Sequence, residues 1–598
     1  MSDPELSDIR NRVLLYIITS FVITVILIFF TKILFAETII EKPQELWEND
    51  SLLIEDAELS EEDAEYDTDN ENLVKDDSNF DSSDQIIESS LNYSIFDTVG
   101  LYDETNGGFV ASIWKNSDLN QVEYLLNSIS KPSSNNTLTN LLKKSLLTIS
   151  SLPKKKSESD KSFFDLKINF FINNGNYDII NSLINLVEEK NLNDDLYKIV
   201  IDSYLIQGDY KSACSIIKKL KGQITKLELT SFCKAMSNNL PALDAMISLL
   251  LEEKNEDREL INIYYSYLNK IPYNLTNLNS LDLKKANLIA NQNIDYSELI
   301  SESSELSLQI FYVQSDLPTN IKKVSLAEYL VSRNLINSEI LSDLYKDFAI
   351  NNENNLLSNS LDSESTLNKR SAVFSEIRNT SEQKDLVKLL DIFVKEMGTK
   401  GLLFSVSPLV YDKVKVIVPS LEYKNEMVSL CILLLINNDI EKCEEWIEVL
   451  KSDINDKYIG SKLRFYLSLK KPLESKIINF EEVENIFNNK NLTDAQKNLF
   501  AKFIMIRSSE HSISFWSSKN ELNHIPGVTV NIRLIEYLKQ IDKINIGEAI
   551  LLSCLIYGNN LNYMQDSYAM FSILDALEQI DPSYSNEFVF EYFANNPI

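Results

Sequence analysis

Residues 194–210 read Asp194-Asp195-Leu196-Tyr197-Lys198-Ile199-Val200-Ile201-Asp202-Ser203-Tyr204-Leu205-Ile206-Gln207-Gly208-Asp209-Tyr210. Leu196, Ile199, Val200, Ser203, Tyr204 and Gln207 fall at helical spacing and predict one packed face. The two leading acids suit a first helical turn, where the helix dipole favours negative charge. Gly208-Asp209 ends the helix and Tyr210 opens the next. A connection that short leaves two helices only one arrangement, an antiparallel hairpin.

The same punctuation recurs on both sides of this stretch. Phe170-Phe171-Ile172-Asn173-Asn174-Gly175-Asn176-Tyr177, followed by Ile179-Ile180, repeats the form of Ser203 to Tyr210, with Gly175 and Gly208 33 residues apart. A weaker copy lies at Asn238-Asn239-Leu240, before Ala242 and Ala245. Another runs from Leu434 through Asn437-Asn438-Asp439-Ile440 to Cys443. A period near 33 is the mark of stacked helical hairpins, each of which buries its apolar face only against its neighbours. Helical periodicity continues from about Tyr93 to the C-terminus. The expected architecture is therefore all-α, an α-solenoid in two lobes, 93–350 and 367–598, with the break in the irregular stretch Asn351 to Thr366. The helical pattern is weakest from Gly398 to Val418, where β-branched residues and Pro408 interrupt it. The residues expected to pack the repeat turns are Gly175, Tyr177, Gly208, Tyr210, Ala213, Ile440 and Cys443.

Gly208-Asp209-Tyr210-x-x-Ala213 resembles the turn between the two helices of a tetratricopeptide repeat, in a degenerate form, because the Trp-x-x-Leu-Gly element and the terminal Pro of that repeat have no counterpart here. The resemblance covers residues 160 to 255. Ser112-Ile113-Trp114, Leu125-Leu126, Leu141-Leu142, Leu146-Leu147, Pro153 and Phe232-Cys233-Lys234-Ala235, taken with the two glycine hairpins, resemble a group of membrane-anchored helical-repeat proteins of alphaproteobacteria. Gly547-Glu548-Ala549-Ile550-Leu551-Leu552 is similar to a C-terminal stretch of that group. The resemblance implies an architecture and no activity.

Composition agrees with helices. Among 598 residues there are 12 Gly and 13 Pro, about 2% each against typical values of roughly 7% and 5%. Few turns here draw on Gly for a positive φ, as β-sandwiches and Gly-rich phosphate loops do. Asn is the next-best residue for a left-handed helix end, and it recurs at Asn173-Asn174, Asn238-Asn239, Asn437-Asn438 and Asn559-Asn560. An AT-rich genome would also enrich Asn, and both causes are compatible.

The net charge of −32 excludes nucleic acid as a main partner, since a polyanion must be met by clustered Lys and Arg. The one compact basic run, Lys154-Lys155-Lys156, follows Pro153 and reads as a solvated turn. From Glu37 to Ser90 there are twenty acids and two lysines. Such a segment buries too little apolar surface to offset its ordering entropy, so residues 37–92 read as an acidic disordered linker.

From Val13 to Thr31 no residue is charged, and fourteen of nineteen positions are Val, Leu, Ile or Phe. These contribute roughly −4 to −8 kcal/mol to membrane insertion. At about 1.5 Å per residue the segment measures roughly 28 Å, the thickness of a hydrocarbon core. Residues 13–36 are thus expected to be a transmembrane anchor, in preference to a cleaved signal peptide, since Leu34-Phe35-Ala36 is a poor cleavage site. Arg10 and Arg12 place residues 1–12 in the cytoplasm. The expected molecule is a single-pass inner-membrane protein with a periplasmic C-terminal domain; the inverted topology, a cytoplasmic adaptor, is the alternative.

The five cysteines, Cys214, Cys233, Cys431, Cys443 and Cys554, form no C-x-x-C motif, and buried free thiols are the default expectation. Cys214 and Cys233 alone are placed to meet across a hairpin in an oxidising compartment, and both states stay open. The two histidines, His511 and His524, have neither a nearby cysteine nor an H-E-x-x-H arrangement, so no metal site is expected. No G-x-S-x-G elbow and no phosphate loop occurs, and no cofactor, catalytic residue or small-molecule substrate is expected. Glu444-Glu445 beside Trp446 is the carboxylate pair most open to reading as a sugar-cleaving site, against which stands a packed Trp446. The function expected is a scaffold or adaptor, not an enzyme, holding a protein or peptide partner in a solenoid groove, with a cell-envelope enzyme or its subunit acting on wall polymer as the alternative.

Overall fold

Every hairpin turn singled out above is built by one local device. A computed structural model describes residues 98–129, 135–154, 162–189, 192–252, 257–351, 366–451, 457–471, 480–487, 492–507, 532–540, 546–558 and 567–597. Among them are twenty-six α-helices and no strand, as helical periodicity and scarce glycine predict. At the end of the helix Asp194–Ile206, Gly208 takes φ +70°. Its N–H donates to Leu205 O (3.1 Å), and that of Asp209 donates to Tyr204 O (2.9 Å). This pair of bonds satisfies carbonyls that the helix end would otherwise orphan. The Asp209 carboxylate then accepts from Ser212 N (3.1 Å) and caps the next helix, Tyr210–Ile216. One residue finishes one helix and starts another, which is why the connection is so short.

The copies at Gly175 (φ +70°), Asn238 (φ +54°) and Asn438 (φ +59°) use the same device. Asn176, Asn239 and Asp439 each donate a backbone bond of 2.9 Å to the carbonyl five residues back. Asn239 and Asp439 also cap the following helices, accepting from Ala242 N and Lys442 N. Asparagine thus performs the glycine role at two of the four turns. Asn173-Asn174 does not, because Gly175 takes the left-handed position there, and Asn559-Asn560 lies outside the described residues.

The helix Asp194–Ile206 differs from its predicted face. Leu205, Ile201, Ile206 and Tyr197 are its buried large residues; of the predicted face Ser203 is fully buried, while Leu196, Ile199 and Val200 are half-buried. It packs against Tyr177–Ile184, Tyr210–Ile216, Leu283–Asn291 and Leu306–Gln314. A helix covered from several sides has no single apolar stripe, so the stripe read from sequence marks a flank of the contact surface. From Gly398 to Val418 the helices are short, Leu403–Val406 and Pro408–Val414, with Pro408 at the first position of the second.

All described residues belong to one compact unit, Ser89–Ile598. The helices flanking residues 352–365, Ser338–Asn351 and Leu367–Asn379, pack directly on each other. Arg370 from the second donates to both carboxylate oxygens of Glu328 (2.7 and 2.6 Å), and the Tyr345 hydroxyl donates to the same carboxylate (2.6 Å). This buried cluster has its charges paired, as burial requires.

Contacts of very long sequence separation join the ends of the unit. The helices Leu119–Ser128 and Asn136–Leu147 pack on Ile546–Gly558, and Asn136–Leu147 also packs on the last helix, Pro582–Asn595. Trp114 is fully buried with its ring over Gly547, and its Nε1 donates to Ser145 O (3.1 Å). The segments around Trp114 and Gly547, more than 400 residues apart, therefore touch. Glu591, also buried, accepts from the backbone N–H groups of Asn136 (2.6 Å) and Thr137 (2.8 Å) and from both side chains, so a carboxylate in the last helix caps a helix near the start. Capping by a distant carboxylate meets the orphan N–H groups and complements the positive end of the dipole.

The default expectation for cysteine is corrected at one pair. Cys214 and Cys233 form a disulfide across the helices Tyr210–Ile216 and Gln223–Met236, with Cα atoms 5.9 Å apart. Cys431, Cys443 and Cys554 are buried free thiols. Among the described residues no helix is long and apolar enough to cross a membrane. Residues 13–36 and the acidic linker 37–92 lie outside the described residues, as do His511 and His524.

Candidate functional site

The residues expected to pack the repeat turns divide by role. At Gly175 an added Cβ would stand 3.2 Å from Ile310 Cδ1, so this glycine is needed both for its φ and for close approach to the helix Leu306–Gln314. At Gly208 such an atom meets nothing within 4 Å, so φ alone selects glycine. Ala213 and Cys443 are fully buried, whereas Tyr177, Tyr210 and Ile440 are half-buried against the core. Burial pushes the Tyr177 hydroxyl up to about 12, offset in part by its hydrogen bond with Ser307. These seven residues build turns, and the structure does not gather them into one site.

The turn at Gly175 borders a cleft of about 270 Å3. Leu126, Asn127 and Ile129, at the end of the helix Leu119–Ser128, form one wall. Leu166, Asn169, Phe170, Asn173 and Asn174, from the helix Phe163–Asn173 and its cap, form the other. Leu126, Ile129, Leu166 and Phe170 are buried and make an apolar floor; Asn127, Asn169 and Asn173 are exposed and make a polar rim.

Asn174 is the residue that sets this cleft apart, being only 3% exposed. Its Nδ2 donates to Phe170 O (2.9 Å), which fixes the amide orientation and leaves Oδ1 facing away from that bond. Among the described residues nothing donates to this buried oxygen. An orphaned acceptor of this kind costs about 1–3 kcal/mol unless a ligand or water supplies an N–H or O–H. The cleft thus combines an apolar floor with three surface amides, and Asn174 closes its edge.

Asn173-Asn174 enters the sequence reading only as a helix stop. Asn169 and Asn173 stand one turn apart, a polar pair on one helical face, and that spacing is the available signal. The contribution of Asn127 depends on tertiary packing.

A second cavity, of about 280 Å3, lies among Ile506, Leu538, Ile546, Ala549, Ser572, Asp575 and Glu578. Its acids are engaged: Asp575 pairs with Lys502 (2.9 Å), and Ser585 donates to Glu578. No unpartnered buried polar atom among the described residues lines it.

The carboxylates Glu444 and Glu445 pair with Lys471 and Lys442. Trp446 is buried in the core and offers no face for a sugar to stack on. Among the described residues no group of three or more His, Cys, Asp and Glu is placed to hold a metal ion.

Comparison of the chain with protein-family models, with curated proteins and with solved structures finds no match.

Proposed function

We propose that this chain is a membrane-anchored scaffold or adaptor whose tetratricopeptide-like hairpins, arranged as an α-solenoid, hold an extended segment of a partner protein. In this reading residues 13–36 anchor the chain in a bacterial inner membrane and residues 37–92 hold the helical domain off the bilayer on the periplasmic side. The observation that carries it is a cleft with an apolar floor of Leu126, Ile129, Leu166 and Phe170, rimmed by three exposed amides.

Amide side chains each offer a donor and an acceptor without charge, as a peptide backbone does, so they match N–H and C=O groups presented along an extended strand. The exposed amides of Asn127, Asn169 and Asn173 pair with the backbone of the segment, and the floor takes one apolar side chain. At about 270 Å3 the cleft falls below the range of roughly 300–1,000 Å3 typical of small-molecule sites, which favours a piece of peptide over a whole metabolite. Its uncharged lining gives no hold on a phosphate or a nucleic acid.

The test is in-cell photocrosslinking with a photoreactive residue at Asn127, Asn169 or Asn173, and at the exposed Asp244 as a remote control. The expected result is a discrete protein adduct from the three cleft positions, absent at Asp244. Adducts independent of position, or adducts carrying glycan in place of protein, overturn the reading; the latter points to an enzyme of the wall polymer.

A further inference from the structure

The cysteines are sorted by exposure. Cys214 and Cys233 are half-buried at the packed edge of two helices, and they are bonded to each other. Cys431, Cys443 and Cys554 are at most 1% exposed, and all three are free. Proximity does not explain the difference. Cys431 points its thiol at the backbone carbonyl of Cys443 (4.0 Å), so a second pair of cysteines are neighbours without being bonded. What separates the two pairs is access from outside.

Access matters because a disulfide forms by exchange with another disulfide, through a mixed intermediate whose sulfurs must approach in line. A protein-sized oxidant reaches a half-buried thiol and does not reach one inside a helical core. A dissolved small oxidant would discriminate far less between the pairs.

We propose that the bond between Cys214 and Cys233 is a modification installed by exchange with a disulfide-bearing carrier protein, and that the helical domain therefore works on the oxidising side of its membrane. The thiolate of one cysteine attacks a sulfur of the carrier disulfide, forming a mixed disulfide and releasing one carrier thiolate, which takes up a proton. The second cysteine loses its proton, attacks the mixed disulfide at its neighbour's sulfur and expels the other carrier thiol. Two thiols are oxidised and one carrier disulfide is reduced to a dithiol, with two electrons and two protons passing across. In a cytoplasm poised by glutathione and thioredoxin the same half-buried pair would be kept reduced.

This inference deepens the topological part of the function proposed above, and it rests on the placement of the cysteines independently of the cleft. The spacing suits a disulfide, since 5.9 Å between Cα atoms falls inside the usual range of about 4.4–6.8 Å.

The test counts thiols on the full chain in bacterial cells quenched in acid, then denatured and labelled with a mass-tagged maleimide. The expected count is three tags without reductant, from the free cysteines, rising to five after reduction. In cells lacking disulfide carriers the unreduced count should rise from three to five. Five tags without reductant in ordinary cells overturn the proposal, as does an unreduced count that stays at three in carrier-deficient cells. Parallel protease digestion of spheroplasts separates the causes of failure. Five tags with a protease-accessible domain sink the carrier step and leave the topology standing; five tags with a protected domain sink both. The count is made on the native sequence, so it does not depend on the folding of any variant.

Discussion

Replacing Gly547 by alanine tests the closure between the two ends of the domain, because here local and tertiary effects have opposite signs. An alanine Cβ at this position would stand 2.6 Å from Cη2 of Trp114, and closer still to Cζ3 and Cε3. Carbon atoms in contact prefer about 3.5–4.0 Å, so the ring or the helix must retreat by roughly 1 Å. The ring has nowhere to go: it is fully buried, its Nε1 is bonded to Ser145 O (3.1 Å), and Phe163 packs edge-on against it with centroids 5.6 Å apart. Overpacking of this kind costs about 1–3 kcal/mol. Gly547 lies in the first turn of the helix Ile546–Gly558, where alanine on helix propensity alone would stabilise by up to about 1 kcal/mol. The expected net effect is destabilisation of roughly 1–2 kcal/mol. Urea unfolding of the full chain, followed by far-ultraviolet circular dichroism, measures it as a lowered midpoint at unchanged slope. Made again in a Trp114→Leu background, the same alanine should be neutral or stabilising, a coupling of at least about 1 kcal/mol. A midpoint that is unchanged or raised by Gly547→Ala alone, or an equal shift in both backgrounds, refutes the packing argument.

Three further outcomes are expected. Glu591→Ala removes the acceptor of four hydrogen bonds at the start of the helix Asn136–Leu147; with two backbone donors left buried, unfolding free energy should fall by about 2–4 kcal/mol, and hydrogen exchange should quicken first in residues 136–140. At the turns, Asn438→Gly should leave thermal stability unchanged or raise it slightly, while Asn438→Ala and Gly208→Ala should each lower it by about 1 kcal/mol, because a Cβ without a local hydrogen bond is penalised at φ +59° and +70°. Lys323 donates to Ser315 O and Leu317 O from a buried position, and burial lowers its ammonium to about 8. The folded pKa lies below the unfolded value, so the unfolded chain holds the proton more tightly. The penalty, about 3 kcal/mol at 1.36 kcal/mol per unit, is complete below pH 8, and stability climbs from pH 8 towards 10.5. The difference in urea midpoint between the native chain and Lys323→Met, taken at pH 7 and pH 9.5, should shift in favour of the native chain at the higher pH.

Much of the architecture was legible because it is written at short range. Positive φ costs least at glycine and asparagine, so Gly175, Gly208, Asn238 and Asn438 mark turns without reference to anything else. At three of these four turns the cap that follows, Asp209, Asn239 or Asp439, is set by bonds to residues three positions on. The same locality explains what was misplaced. Periodicity put the packed face of the helix Asp194–Ile206 on Leu196, Ile199 and Val200, and the burial of Tyr197, Ile201 and Leu205 appears only once several other helices close around it.

By itself, then, the sequence determined that the chain is helical, where its hairpins turn and which residue types those turns demand. Only the tertiary structure decided that Trp114 meets Gly547, that Glu591 caps a helix some 450 residues earlier, that Cys214 and Cys233 are bonded and not free, and that Asn127 joins Asn174 at a cleft. The reason is physical: backbone preference and capping act over one or two helical turns and leave a periodic trace, whereas packing between distant segments depends on shape complementarity, to which no single residue and no spacing corresponds.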